Sequence, residues 1–458
     1  MKKDAARWLK TGTFICLSAA LVCAFVFIAK VIHTRLNTVV IGGEEYDKSV
    51  SSLDLSGIQL SGEAEALLGF DNLESADLRD TGITVSQYEA IHSALPDCRI
   101  RWSVPIGDSF YDSDITEFRL TTDISPTDIN QIGYLTGLKT LDARDYPLCD
   151  ELYDLTVKFK ENSADFKLLL HDALYGKEIT EQTEKLDFSH KRIKDLSEFY
   201  QKLRFFTNIK KIYVGDISVP DEDMDSLNKA FPETKIVWLI EFSIWQVRTD
   251  IKVFSTQVGK LQTVKVNQDQ IQPLVKYCTD LEALDLGHNI MTDISCLAGL
   301  KNIDILIISS NRLSDISVIR NFPKIHFLDI RNQPDIDDLS PIASLPELEQ
   351  IELQHLKKVE NMSAFTHCPK LKILFALDVE FTDCTLDDLK AACPECLFDM
   401  ESDFTKHTWP NTNKNMIIRY LFTNWARVDT EAYNGWDDVQ FTEKPTNGWK
   451  YKEREKYI

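Results

Sequence analysis

Carboxylates recur at one position along this chain: Asp54, Asp77, Asp142, Asp187, Asp285, Asp329 and Glu352 each stand between two apolar residues. With Arg331 beside Asp329, such a row suits either a cation or basic-partner site or a solvated sheet face. A paired-carboxylate hydrolase needs two acids at a fixed separation across one bond, and acids on separate repeats define none. Cys384, Cys393 and Cys396 contain one CxxC, whereas zinc commonly takes two close pairs; packed thiols come first, then a disulfide, and zinc last. His288, His326 and His355 lack metal-ligand spacing and suit turns or solvated positions. There is no Walker loop, GxGxxG, HExxH or GxSxG. The expectation is no catalytic residue, no metal and no cofactor.

The elements that position these residues are repeats. From Leu281 the chain reads LEALDLGHNIMTDISCLAGLKN, IDILIISSNRLSDISVIRNFPK, IHFLDIRNQPDIDDLSPIASLPE and LEQIELQHLKKVENMSAFTHCPK, then LKILFAL, with starts spaced 22, 22, 23 and 23 residues apart. In LxxLxL, alternation sends every second side chain inward on a short strand. An Asp-Ile-Ser-like triplet follows at 293–295, 315–317 and 338–340, and upstream at 195–197; its Asp and Ser can bond turn backbone. No copy can bury its own apolar side, so neighbours must stack. The pattern resembles bacterial leucine-rich repeat proteins of the internalin-like 22-residue type, over at least residues 183–377 and more loosely 49–400. That resemblance implies an α/β solenoid, with a curved parallel sheet on the concave side and helices or turns on the convex side. It also implies an Asn after each strand that satisfies turn backbone. Asn289 and Asn311 fit; Gln333 and Leu356 stand there in the next two copies.

A longer period lies beneath. SALPDCRIRWSVPIGDSFYDSDITEFRL and KAFPETKIVWLIEFSIWQVRTDIKVFST align without gaps at an offset of 136, with a fainter copy halfway. Each is preceded by a stretch with helical spacing of apolar residues, VSQYEAIHSAL or DEDMDSLNKAF, which Pro96 or Pro232 ends. Some 16 short parallel strands lining one curved sheet are expected; the alternative is two or three blocks separated by hairpins at 100–120 and 236–256. Residues 33–48 read as a stalk and 401–458 as an aromatic-rich C-terminal cap, in which NMIIRYLFTNWARV at 415–428 forms an amphipathic helix.

Residues 11–32 are almost wholly apolar, and at 1.5 Å per residue the stretch 11–29 reaches about 28 Å, a bilayer core. A single transmembrane signal anchor is expected rather than a cleaved leader, whose apolar region is shorter. Basic residues before it favour a cytoplasmic tail at 1–10 and an extracellular C-terminal portion. Lys plus Arg is 51 and Asp plus Glu 72, a net charge of −21, which excludes nucleic acid as a natural partner. Strand alternation turns Ile305, Ile307, Phe327, Ile373, Phe375 and Leu377 outward on the concave face, where apolar residues mark an interface. Together with Asp285, Asp329, Arg331 and Glu352 they form the expected contact set for a protein or cell-envelope ligand. The alternatives are that the C-terminal tail folds back over them, or that a one-residue register shift turns them inward. The expected function is non-catalytic binding at the cell surface. A structural role in envelope assembly and an enzyme site at the C-terminal tail are the rivals.

Overall fold

The computed structural model describes residues 37–60, 62–257 and 264–401, together with Cys23, Ala24, Val26, Ile418, Leu421, Phe422 and Trp425. Among the described residues no helix is long and apolar enough to cross a membrane, and the anchor expected at 11–32 lies almost entirely outside them. The chain forms two compact units, 1–183 with 201–208, and 184–200 with 209–458.

The first unit opens with a hairpin, β1 (Thr38–Ile41) antiparallel to β2 (Glu44–Asp47). Val39 and Ile41 are buried, and β1 packs on the 3₁₀ turn Ala64–Gly69. This hairpin falls within the segment 33–48 expected as a stalk. Next come β3 (Ser52–Asp54), β4 (Ser75–Leu78) and β5 (Arg99–Ile106) in parallel, and β5 turns back on β6 (Ser109–Asp112). A second parallel group holds β7 (Glu117–Arg119), β8 (Thr140–Asp142) and β9 (Lys167–Leu169), followed by the hairpin of β10 (His171–Leu174) and β11 (Lys177–Thr180). Real helices back these coils: α1 (Val85–Ala94), entered through a capping box of Thr84 and Gln87, and α2 (Asp150–Asn162).

The second unit begins with β12 (Lys185–Ile193), β13 (Lys211–Ile217) and β14 (Lys235–Phe242) in parallel, and β14 folds back on β15 (Trp245–Arg248). Helix α3 (Asp221–Ala230) precedes β14. A seven-stranded parallel sheet follows: β16 (Val253–Ser255), β17 (Ala283–Asp285), β18 (Ile305–Ile307), β19 (Phe327–Asp329), β20 (Gln350–Glu352), β22 (Ile373–Phe375) and β24 (Leu397–Asp399), with β21 (Lys358–Val359) and β23 (Glu380–Phe381) pairing apart.

The single continuous sheet is thus corrected to separate blocks bounded by hairpins, the alternative reading. Alternation does not end where a repeat strand should: in β5 and β14 it runs on for eight residues, long enough to pair with a return strand. Gly107 (φ 57°) and Ser243 (φ 51°) supply the left-handed residue these two-residue turns require. The 136-residue likeness reaches individual bonds. Ser113 N–H donates to Trp102 O at 2.8 Å and Thr249 N–H to Trp238 O at 2.9 Å, while the Ser113 and Thr249 hydroxyls accept from the two Trp amides.

In the seven-stranded sheet Leu284, Leu306, Leu328, Ile351 and Leu374 share one register and are fully buried in the repeat core. The triplets close their turns as expected. Asp293, Asp315 and Asp338 accept from the amides of Ser295, Ser317 and Ser340 at 2.7–2.8 Å. The polar ladder extends one coil further than Asn. Gln333 donates to Ile308 O at 2.6 Å and accepts from Leu313 N at 3.0 Å, as Asn311 does with Ile308 O and Met291 N; Leu356 then ends it as a buried apolar residue. Each coil has a left-handed residue after its strand, His288, Ser310, Asn332, His355 and Asp378, and the coil of His355 has a second, Asn361. Two of the three noted histidines are therefore turn residues.

Candidate functional site

Each three-residue parallel strand turns its first and third residues to the outer face. In the first unit that face is wet: β3 and β7 alternate exposed, buried, exposed, and Asp77, Asp142 and Arg101 remain partly exposed. Arg79 grips Asp77 (Nε–Oδ1 2.9 Å, Nη2–Oδ2 2.7 Å), and Arg144 grips Asp142 at the same two distances. Charge-assisted bidentate bonding holds both carboxyls below the usual range, with the arginine hydrogen bonds as the main cause. Beyond β7–β9 lies a polar cleft of about 570 Å³, lined by Arg119, Arg144, Asp145, Leu170, His171, Thr180, Glu181 and Gln182. These positions were missed as site candidates, although Arg119 and Arg144 stand where alternation points side chains outward.

The seven-stranded sheet of the second unit differs, although β12 of that unit has an exposed face too. Strands β16 to β20 are buried on both faces. The register is the one alternation gives: Ile305 pairs with Phe327 and Ala283, and Ile307 with Asp329 and Asp285. The expected exposure is corrected. Ile305 and Phe327 are 0% exposed, and Ile307 and Phe375 are also buried; only Ile373 and Leu377 are half-buried. No register shift accounts for this, so a second layer of protein covers the outer face.

That face carries two rows. Val253, Ala283, Ile305 and Phe327 make an apolar one, which runs on into Gln350. The other holds Ser255, Asp285, Ile307, Asp329 and Glu352. Asp329 and Glu352 are fully buried, and Asp285 and Arg331 nearly so. Arg331 takes Asp329 bidentately (Nε–Oδ1 3.0 Å, Nη2–Oδ2 2.7 Å) and reaches Glu352 Oε2 at 3.4 Å. Burial lowers the Arg331 pKa, but Asp329 and Glu352 more than offset that, and the net shift is upward. Asp285 accepts from Ser255 Oγ at 2.8 Å and Gly287 N at 2.9 Å, yet burial pushes it up to about 6. Asp329 and Glu352 therefore share one guanidinium in a buried layer, and Asp285 lies in the same row without an ion-pair contact to it.

Ile418, Leu421 and Phe422 are helical and buried, and buried Trp425 lies on Phe254 of β16 with ring centroids 4.9 Å apart. The remainder of the expected cap, with Trp409, Trp436 and Trp449, lies outside the described residues. Cys278 and Cys368 are buried thiols, the latter pushed up to about 12 by burial; Cys384, Cys393 and Cys396 are separate thiols. Among the described residues no group of three His, Cys, Asp or Glu side chains is placed to hold a metal ion.

Coils of 22 or 23 residues, each one short parallel strand plus a turn closed by Asp and Ser, define a leucine-rich repeat protein with the internalin-like repeat length. No family model and no curated protein matches the sequence. Solved structures to which the chain is similar include internalin C2 of Listeria monocytogenes, with 19% identity, TM-score 0.27, and 44% of this chain and 75% of that one covered. Internalin InlF of the same species follows at 18% identity, TM-score 0.28 and 79% and 91% coverage. A leucine-rich repeat protein of Leptospira interrogans stands at 15%, 0.28, and 77% and 90%.

Proposed function

We propose that this chain is a non-catalytic recognition protein, held at the cell membrane by residues 11–32 with 33–458 outside, whose strand faces bind a protein or cell-envelope ligand. The observation that carries the reading is the wet outer face of the first unit. There Asp77 with Arg79 and Asp142 with Arg144 are locked in fixed bidentate pairs, and Arg144 also lines the cleft. A preformed surface of this kind loses little conformational entropy on binding, and its alternating charges favour a partner of complementary pattern. The ten residues expected to contact a partner lie on the other unit's covered face, and they serve that role only when the cover is absent.

The test is capture by photo-crosslinking on intact cells, using the full-length chain and Arg119→Glu/Arg144→Glu. Both side chains are more than half exposed, at 66% and 55%, so folding should survive. Loss of the crosslinked species at an unchanged melting temperature is expected. Equal capture by a folded double variant would sink the proposal for this face.

A further inference from the structure

We infer that the cleft beyond β7–β9 takes a single carboxylate of a polypeptide, gripped by Arg119 and Arg144. The inference deepens the proposed function and rests on its reading of this cleft as a recognition site. The two arginines come from neighbouring coils. Arg119 ends β7 in register with Asp142 of β8, and Arg144 lies two residues beyond Asp142. A guanidinium carries five N–H donors. Arg119 spends its Nη2 on Asp145, and Arg144 spends its Nε and Nη2 on the two oxygens of Asp142, so among the described residues the Nη1 group of each donates no hydrogen bond. Acceptors across the cleft are already engaged: Glu181 Oε2 accepts from Leu170 N at 3.3 Å, and Oε1 from Gln182 Nε2 at 2.7 Å. The cleft is therefore rich in donors and short of acceptors, and a carboxylate is the group whose two oxygens match a guanidinium fork.

Size and charge narrow the ligand further. The far wall is the hairpin β10–β11, closed by the left-handed pair Tyr175 (φ 47°) and Gly176 (φ 79°) and held by Asn208, which donates to Glu181 O at 2.6 Å. The wall is thus built before a ligand arrives, and about 570 Å³ lies within the range of sites that enclose a small group. The two guanidiniums stand among Asp142, Asp145 and Glu181, in a chain of net charge −21. A polymer charged at every unit is repelled from such a place, whereas one carboxylate on an otherwise uncharged peptide is not. That carboxylate belongs to a C-terminus or to an acidic side chain.

The experiment is isothermal titration of the full-length chain in detergent with three probes: N-acetyl-trialanine with a free C-terminus, its amide, and the amide of N-acetyl-Ala-Glu-Ala. Either carboxylate probe should bind at least about 10-fold more tightly than the uncharged amide, in the range of a hydrogen bond to a charged group. Preference for the first assigns the C-terminus, and preference for the third the side chain. This comparison on the intact chain needs no variant. Arg119→Gln/Arg144→Gln should abolish the preference, and Asp145→Asn, which releases Arg119 from an exposed pair, should tighten carboxylate binding about 3-fold. Equal binding of acid and amide, no binding of either acid, or a double variant that keeps the preference overturns the inference. Capture on cells that depends on Arg119 and Arg144 while neither acid binds would leave the recognition face in place and remove only the carboxylate.

Discussion

Asp142 with Arg144 in the first unit and Asp329 with Arg331 in the second are one arrangement in two surroundings. Each pair spans two residues at the same repeat position, with the same two-pronged grip and an Nη2–Oδ2 distance of 2.7 Å. The Arg144 side chain is 55% exposed and that of Arg331 is 8% exposed. Local sequence made the pair; what lies above the sheet decides its energetics. An exposed pair trades water for a partner at almost no net gain, whereas a buried pair must neutralise charges that have no water to return to.

The sharpest way to break this comparison is to remove the cation from each pair. Arg331→Met leaves Asp329 and Glu352 buried without their guanidinium, which should cost roughly 3–5 kcal/mol of stability in urea unfolding. Arg144→Met should leave the unfolding midpoint nearly unmoved. Equal effects would mean that the second unit's face is as wet as the first.

Most of the architecture was legible because stacking imposes a period. The starts at 281, 303, 325, 348 and 371 placed the strands, and the Asp-Ile-Ser triplets placed the turns, since both are local demands of a coil on its own residues. Gln333 could serve in the Asn ladder because its longer arm still reaches Ile308 O. Burial of the outer face was not legible in the same way. Alternation says which side of a sheet Phe327 is on, and says nothing about whether a second layer lies there. The hairpins were ambiguous for a related reason: in IRWSVPI, alternation looks the same whether the strand stops or doubles back.

The sign of the pH dependence separates the faces next. Asp285 is pushed up to about 6 in the folded chain from an ordinary value near 3.8. The folded state therefore holds a proton that the unfolded state has released. Stability falls as pH rises through the window from about 4 to about 6, and the penalty is complete above it. Asp285→Asn removes that penalty, so the variant should be more stable at pH 7.5 by up to roughly 3 kcal/mol, with the difference vanishing below about pH 4. Asp77 runs the other way: its hydrogen bonds from Arg79 hold it low, so its contribution is present at neutral pH and lost as pH falls through the depressed value. Melting curves from pH 3.5 to 8 on Asp285→Asn and Asp77→Asn should diverge in opposite directions from the parent. Parallel shifts would remove the distinction between the two faces.

The smallest effect tests whether the layer or the bond matters. Ser255 Oγ donates to Asp285 Oδ2 at 2.8 Å, and Ser56 Oγ donates to Asp54 Oδ1 at 2.7 Å. The two bonds are alike in length and chemistry, but Ser255 and its acid are buried while Ser56 and Asp54 are exposed. In the exposed pair water replaces the lost hydroxyl, so Ser56→Ala should be silent. In the buried pair no water is at hand, and Asp285 keeps only the Gly287 amide. Ser255→Ala should therefore cost about 2 kcal/mol at pH 7.5, in the range for hydrogen bonds to charged groups. It should cost less below pH 5, where the carboxyl is protonated and the hydroxyl matters less. A cost at Ser255 that does not depend on pH would show that the serine acts through packing, and that the charge on Asp285 is not what the second layer has to manage.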